Sequence, residues 1–230
     1  MPTLIIPCYN EEKRLNFSEF KRYEEKINFF FVDDGSTDQT SSKIESNGFP
    51  CLKLKENYGK GPAIREGILH YLSLQENSHT FDSWIGYWDA DLSIPLDIIS
   101  KMLEEDNLKN VNSIWSSRYK NFIKGSRSSL FRSILGQLFS KLVRTYFGIP
   151  LFDTQCGAKI FRTKIAQETF REPFISRWLF DIEIFFRLPK GTVLEKPVLY
   201  WENHTGSKVS FFRDGIQAFK DLPKIRKKYL

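Results

Sequence analysis

Five short, mostly apolar runs, each closed by polar or acidic residues, constrain this chain more than any other feature. They are Thr3–Cys8, Ile27–Val32, Cys51–Leu54, Phe81–Trp88 and Val111–Ser116. Runs of this length suit strands buried on both faces of a sheet. Segments long enough for helices separate them: Glu11 to Lys26; a stretch capped by Ser36-Thr37-Asp38 and running to Ser46; Pro62 to Gln75, with apolar Ile64, Ile68, Leu69 and Leu72; and Pro95 to Glu105. The alternation predicts an α/β fold, a Rossmann-like and mostly parallel sheet flanked by helices on both faces. In such sheets ligands collect at the carboxyl ends of the strands. A chain of 230 residues fits one domain.

Acidic clusters stand where those strands end. Tyr9-Asn10-Glu11 follows the first, Asp33-Asp34 the second and Asp89-Ala90-Asp91 the fourth, so residues far apart in sequence should line one rim. The two carboxylates of Asp89-Ala90-Asp91 suit a hard divalent cation, Mg2+ or Mn2+, holding a diphosphate. Such a triplet also occurs in solvated turns, and the apolar run Trp84–Trp88 before it favours the functional reading. Adjacent Asp33 and Asp34 suit a nucleoside, because a carboxylate only accepts hydrogen bonds; a capped turn is the structural alternative. Lys60, between Gly59 and Gly61 at a predicted helix start, reads as an anion loop, where unpaired N–H groups and the helix dipole favour phosphate.

Charge and cysteine content narrow the partners. Against 28 acidic residues the chain carries 34 Lys and Arg, a formal charge of +6, which favours anionic partners. Cys8, Cys51 and Cys156 are widely spaced and odd in number, which predicts a reducing, cytoplasmic setting without a disulfide framework. The N-terminus reads as a strand rather than a signal peptide, and no apolar window reaches the length of a membrane span. From Leu130 to Phe147 apolar residues recur among Arg132, Lys141 and Arg144, a pattern shared by core-facing helices and by helices lying on an anionic membrane surface. The basic, aromatic stretch from Phe211 to Leu230 adds to the second reading.

Five motifs in order then resemble a known family: Ile5-Ile6-Pro7-Cys8-Tyr9-Asn10-Glu11-Glu12, Phe31-Val32-Asp33-Asp34-Gly35-Ser36-Thr37-Asp38, Gly59-Lys60-Gly61-Pro62-Ala63, Asp89-Ala90-Asp91 and Asp153-Thr154-Gln155-Cys156-Gly157-Ala158-Lys159. They are similar to family 2 inverting glycosyltransferases, and most to those using polyprenyl phosphate, the glucosyl branch in particular. The resemblance implies a glycosyltransferase A-type fold, with residues 1–117 forming a nucleotide-binding half and 118–230 an acceptor-binding half. It implies that Pro7, Tyr9, Glu11, Asp33, Asp34, Lys60, Asp89, Ala90 and Asp91 bind the nucleotide, and that Asp89 and Asp91 hold Mg2+ or Mn2+. It assigns the chemistry to Asp91, Asp153 and Asp181, and the acceptor phosphate to Arg118, Arg127 and Arg132. Arginine's planar fork matches phosphate oxygens. For Asp153 the role is either base or organiser of the acceptor, and a lipid phosphate is already ionised at neutral pH. Glu183 beside Asp181 is a further candidate for sugar hydroxyls, while Asp181 also reads as a helix cap.

The implied reaction is transfer of a hexose, glucose from UDP-glucose being favoured by Gly206-Ser207-Lys208-Val209, from a nucleotide sugar to polyprenyl phosphate at the cytoplasmic membrane face. GDP-mannose as donor and a soluble saccharide as acceptor are the alternatives. A nucleotidyltransferase would place a glycine-rich basic loop after the first strand, where Cys8-Tyr9-Asn10-Glu11 stands instead. A nucleic-acid-binding module would not gather acids on its binding face, so nucleic acid is not expected as a partner.

Overall fold

A computed structural model describes residues 1–75, 83–104, 108–118, 138–198 and 211–230, without the side chains of 211–216. One seven-stranded sheet organises the chain, in the order β3-β2-β1-β4-β6-β5-β7. The strands are β1 Thr3–Cys8, β2 Asn28–Asp33, β3 Cys51–Lys53, β4 Trp84–Trp88, β5 Ser113–Ser117, β6 Ala158–Arg162 and β7 Val193–Pro197. β1 pairs in parallel with β2 and β4, β2 with β3, and β5 with β7; β6 alone runs antiparallel, between β4 and β5.

Side chains alternate between two apolar layers, as strand geometry requires. Along β1, Leu4 and Ile6 enter one layer and Ile5 the other. The first layer is covered by α1 (Phe17–Tyr23), α2 (Thr40–Ser46) and α4 (Ile98–Leu103), which supply Phe20, Ile44, Ile98 and Met102. Its centre is an aromatic cluster in which Phe20 meets Phe29 and Phe31 edge-on at centroid distances of 5.2 and 5.1 Å. The second layer is covered by α3 (Lys60–Leu74), a helix α5 over residues 138–147, α6 (Thr163–Thr169), α7 (Phe180–Arg187) and α8 (Phe211–Tyr229). There Ile64, Ile68, Val143, Phe147, Ile182 and Ile225 pack on Ile5, Val32, Tyr87, Trp115 and Phe161. Much of the chain's phenylalanine therefore lies inside.

Several elements are shorter than their sequence pattern predicts. The helix expected from Glu11 contracts to Phe17–Tyr23, because residues 11–15 form a turn in which Arg14 and Leu15 N–H groups donate to the Glu11 carbonyl. The second helix starts at Thr40 rather than beside Ser36-Thr37-Asp38, whose side chains are drawn to the β1 loop. Likewise α4 starts at Ile98, since Pro95 and Leu96 make the turn before it. β6 and β7 lie beyond the five strands that the sequence pattern predicts, and β6 is hidden by Lys159, a fully buried lysine at its second position.

The topology fixes which loops meet. β1 sends the chain to β2 on one side, and its other neighbour is β4, so the crevice opens at the carboxyl ends of β1 and β4. β5 runs parallel to β4, which puts Arg118, just past its end, on that same edge. Because β6 is reversed, its amino end lies there too, with the segment Asp153–Gly157 leading into it.

Candidate active site

On the β1–β2 side of the rim the loops are held largely by backbone N–H groups that donate to side-chain oxygens. Asn10, at φ 53°, donates its N–H to Ser36 Oγ (2.8 Å) and accepts from the Thr37 N–H through Oδ1 (2.8 Å). The Glu11 N–H donates to Thr40 Oγ1 (2.8 Å) and the Ser36 N–H to Asp33 Oδ1 (3.1 Å). Asp34 is buried, and its carboxylate accepts from the Tyr58 N–H (2.9 Å), the Gly59 N–H (2.8 Å) and Asn57 Nδ2 (3.0 Å). Burial pushes its carboxyl up to about 6 against the pull of those N–H groups and of Arg177, while neighbouring Asp33 adds to the rise. Asp34 thus fixes the segment that presents Lys60, with Gly59 turning at φ +100° at the head of α3.

The end of β4 forms the centre. Leu92, at φ 52°, donates its N–H to the Asp89 carbonyl (3.0 Å), closing a turn that projects Asp89 and Asp91 toward the crevice. Lys60 Nζ reaches Asp89 Oδ1 at 2.5 Å. Asp91 accepts from the Ser93 N–H (3.0 Å) through one oxygen and from Arg14 (3.3 Å) through the other; Arg14 also contacts Glu11 (3.2 Å). Ala90 points into the core, which leaves only its backbone to face a ligand. Pro7 ends β1, and Tyr9 just beyond is exposed at the same edge.

Ion pairs dominate the other side. Arg118 grips Asp153 with two parallel bonds, Nε to Oδ2 (2.7 Å) and Nη2 to Oδ1 (3.0 Å), and its N–H adds a third (3.1 Å). Burial alone would raise the Asp153 carboxyl, but the Arg118 guanidinium holds it below the usual range. Behind this pair Lys159 Nζ donates to the Thr154 carbonyl (2.8 Å) and is paired with Asp181, which also accepts from the Tyr87 hydroxyl. The ammonium lies 4.2 Å from the Trp115 ring centroid. Burial lowers the Lys159 ammonium's proton affinity, and Asp181 pulls the other way. Glu183 accepts from the Ile175 (2.8 Å) and Ser176 (3.0 Å) N–H groups. Cys156 is buried and its thiol is pushed up to about 12, so it stays protonated and unreactive.

One contact joins the two sides. The Asp89 N–H donates to the Gly157 carbonyl (3.0 Å), and a Cβ at position 157 would overlap the Asp89 carboxylate. Asp89 and Asp91 fit a divalent ion: both carboxylates face the crevice, and each has already drawn a cationic side chain. No cluster of three acidic, histidine or cysteine ligands occurs among the described residues, so two carboxylates would share the ion with diphosphate oxygens and water. Arg127, Arg132 and Gly206-Ser207-Lys208-Val209 lie outside the described residues, as does the 130–137 part of the apolar stripe. Of the rest of that stripe, Val143 and Phe147 face the core, while Leu138, Leu142 and Tyr146 are exposed. No helix among the described residues is long and apolar enough to cross a membrane. Sequence reasoning missed Arg14, whose signal is its position three residues after Glu11, and the buried Lys159, which reads as a surface residue.

Residues 3–170 match the family described as Glycosyl transferase family 2. Dolichyl-phosphate beta-glucosyltransferase of Dictyostelium discoideum is 32% identical over 247 residues, covering 99% of this chain and 74% of that protein. The enzyme of the same name from Homo sapiens is 32% identical over 261 residues, covering 99% and 75%. Among solved structures, glucosyl-3-phosphoglycerate synthase from Mycobacterium tuberculosis in complex with UDP superposes with a TM-score of 0.65 at 17% identity, covering 98% of this chain and 79% of that one. The same enzyme with Mn2+ and UDP-glucose gives a TM-score of 0.64 at 14% identity, covering 98% and 78%.

Proposed function

The chain belongs to glycosyl transferase family 2, and on that premise we propose that it transfers glucose, with inversion, from UDP-glucose to a polyprenyl phosphate. The observation that carries this reading is the adjacency of two groups of charged side chains on one rim. Lys60, Asp89 and Asp91 stand across the Asp89–Gly157 contact from the Arg118–Asp153 pair. One group suits a metal-bound diphosphate and the other a second phosphate. The names of the relatives, dolichyl-phosphate beta-glucosyltransferases, support both sugar and acceptor.

Roles follow from what each side chain touches. Pro7, Tyr9, Glu11 and Asp33 border the nucleoside; Asp34 acts from behind, holding the Tyr58–Gly59 segment that aims Lys60 at the diphosphate. Asp89 and Asp91 hold Mg2+ or Mn2+, which when bound neutralises the charge growing on the departing UDP. Asp153 is a positioning residue: its bidentate grip sets the Arg118 guanidinium toward the acceptor phosphate, with Arg127 and Arg132 assigned to the same phosphate. That phosphate carries its own charge at neutral pH, so its oxygen can attack C1 without a protein base. Asp181 acts through Lys159, which pins the Asp153–Cys156 segment.

In this reading residues 1–117 serve the donor and 118–230 the acceptor within one unit. An anionic membrane surface at the cytoplasmic face is the second partner, supported by Leu138, Leu142 and Tyr146 exposed on α5 and by the basic end of α8. The test is a screen of UDP- and GDP-sugars with Mn2+ or Mg2+, with and without polyprenyl phosphate. UDP-glucose should be consumed fastest with the lipid present; a preference for GDP-mannose, or no response to the lipid, would overturn the assignment.

A further inference from the structure

Among the described residues, Arg14 is the cation that bridges two carboxylates across this rim. Its backbone is set by the turn over Glu11, and its guanidinium touches Glu11 Oε1 at 3.2 Å and Asp91 Oδ2 at 3.3 Å. Both contacts are at the long end of the hydrogen-bond range. The neighbouring pair differs, with Lys60 on Asp89 at 2.5 Å. The site is only partly exposed, with side-chain accessibilities of 24% for Arg14 and 27% for Asp91, so a divalent ion and the guanidinium compete for that Asp91 oxygen. A diphosphate offers arginine's planar fork two oxygens at once.

We propose that Arg14 is the counter-cation of the ligand-free donor site, holding Asp91 and Glu11 until metal and nucleotide arrive together, and then passing its guanidinium from Asp91 to the diphosphate oxygens. The inference rests on Asp91 being a metal ligand in a nucleotide-diphosphate site. Its consequence is a coupling: metal alone must displace Arg14 from Asp91, whereas metal with UDP supplies the displaced guanidinium with a better anion. Binding of Mn2+ and of UDP should therefore strengthen one another, and by the same factor in either order.

Arg14→Gln removes the competitor and the diphosphate contact at once, so its two effects have opposite signs. Mn2+ binding without nucleotide, followed by electron paramagnetic resonance or water-proton relaxation, should tighten about two- to fivefold, the scale of a partly exposed ion pair. UDP binding in saturating Mn2+, followed by calorimetry, should weaken about tenfold, the scale of a lost charged hydrogen bond. The mutual strengthening should shrink accordingly, and Arg14→Lys should lie between the two. A residue that merely stabilised the loop would weaken both affinities together; that result, or no change in either, overturns the proposal. Asp91→Asn separates this from the underlying assignment. Wild-type Mn2+ affinity in that variant would remove Asp91 as a ligand and the inference with it, whereas lost Mn2+ binding together with parallel effects in Arg14→Gln would remove the inference alone.

Discussion

The two sides of the rim are built from different forces. On the side proposed to take the donor, loops after β1, β2 and β3 are tied by N–H groups donating to Ser36, Thr40, Asp33 and Asp34, and its ion pairs, Lys60 with Asp89 and Arg14 with Asp91, are partly exposed. On the acceptor side, Asp153 with Arg118, Lys159 with Asp181 and Glu183 with Arg187 form charge pairs. A backbone N–H donating to a hydroxyl or a carboxylate holds a loop in one geometry at modest net gain. Buried ion pairs contribute little net stability, yet losing one partner is costly because the other is left charged and dry. The donor side should thus tolerate single substitutions and respond to pH, whereas the acceptor side should be brittle to single substitutions and insensitive to pH.

The sharpest way to break that contrast is at Lys159, which is 0% exposed. Lys159→Ala strands the Asp181 carboxylate beside Tyr87 and should cost about 3–5 kcal/mol in denaturant unfolding. Replacing both partners, Lys159→Met with Asp181→Leu, should recover much of that loss; an equal loss in the double variant would mean that the pair itself stabilises. Next in size is the contact between the sides. Gly157→Ala forces the Asp89 carboxylate to move and should cost about 1–3 kcal/mol, as overpacking does. Its Mn2+ affinity should fall with it, and unchanged metal binding would show that the two sides are independent.

The smallest effect is the response to pH, which separates the sides most cleanly. Folding raises the Asp34 carboxyl from 3.8 to about 6, so the folded chain takes up this proton more readily than the unfolded one. Its contribution to stability therefore declines as pH rises from about 4 to about 6 and is level above that. Binding should move the other way: below pH 6 the protonated carboxyl holds the Tyr58 and Gly59 N–H groups less well, and UDP affinity should fall several-fold. Asp34→Asn should flatten both profiles. The Asp153 carboxyl, held low by Arg118, should stay ionised across that window, so an acceptor-side dependence near pH 6 would contradict the account.

Legibility in the sequence divides along the same line. The donor half was readable because its strands are apolar runs and its acids sit at their ends, where β1, β2 and β4 deliver Glu11, Asp33 and Asp91 to one edge. The acceptor half was readable at Asp153 and Arg118 through the family resemblance, but not in its architecture. β6 carries Lys159 at its second position, and a buried lysine erases the apolar signature of a strand. The helix expected over Glu11 to Lys26 failed for a related reason: Glu11 and Arg14 belong to a turn that serves the site, and tertiary contacts outweigh helix propensity there.

The most direct test is the formation of glucosyl lipid from labelled UDP-glucose and polyprenyl phosphate by purified wild-type protein and by Asp91→Asn, each with Mn2+ and after chelation. The account predicts label in the lipid fraction for wild type with metal. It also predicts a loss of about two to three orders of magnitude in the variant, the scale of removing one charge-stabilising group, and a comparable loss on chelation. Transfer that survives both changes, or none from UDP-glucose in wild type, would contradict it.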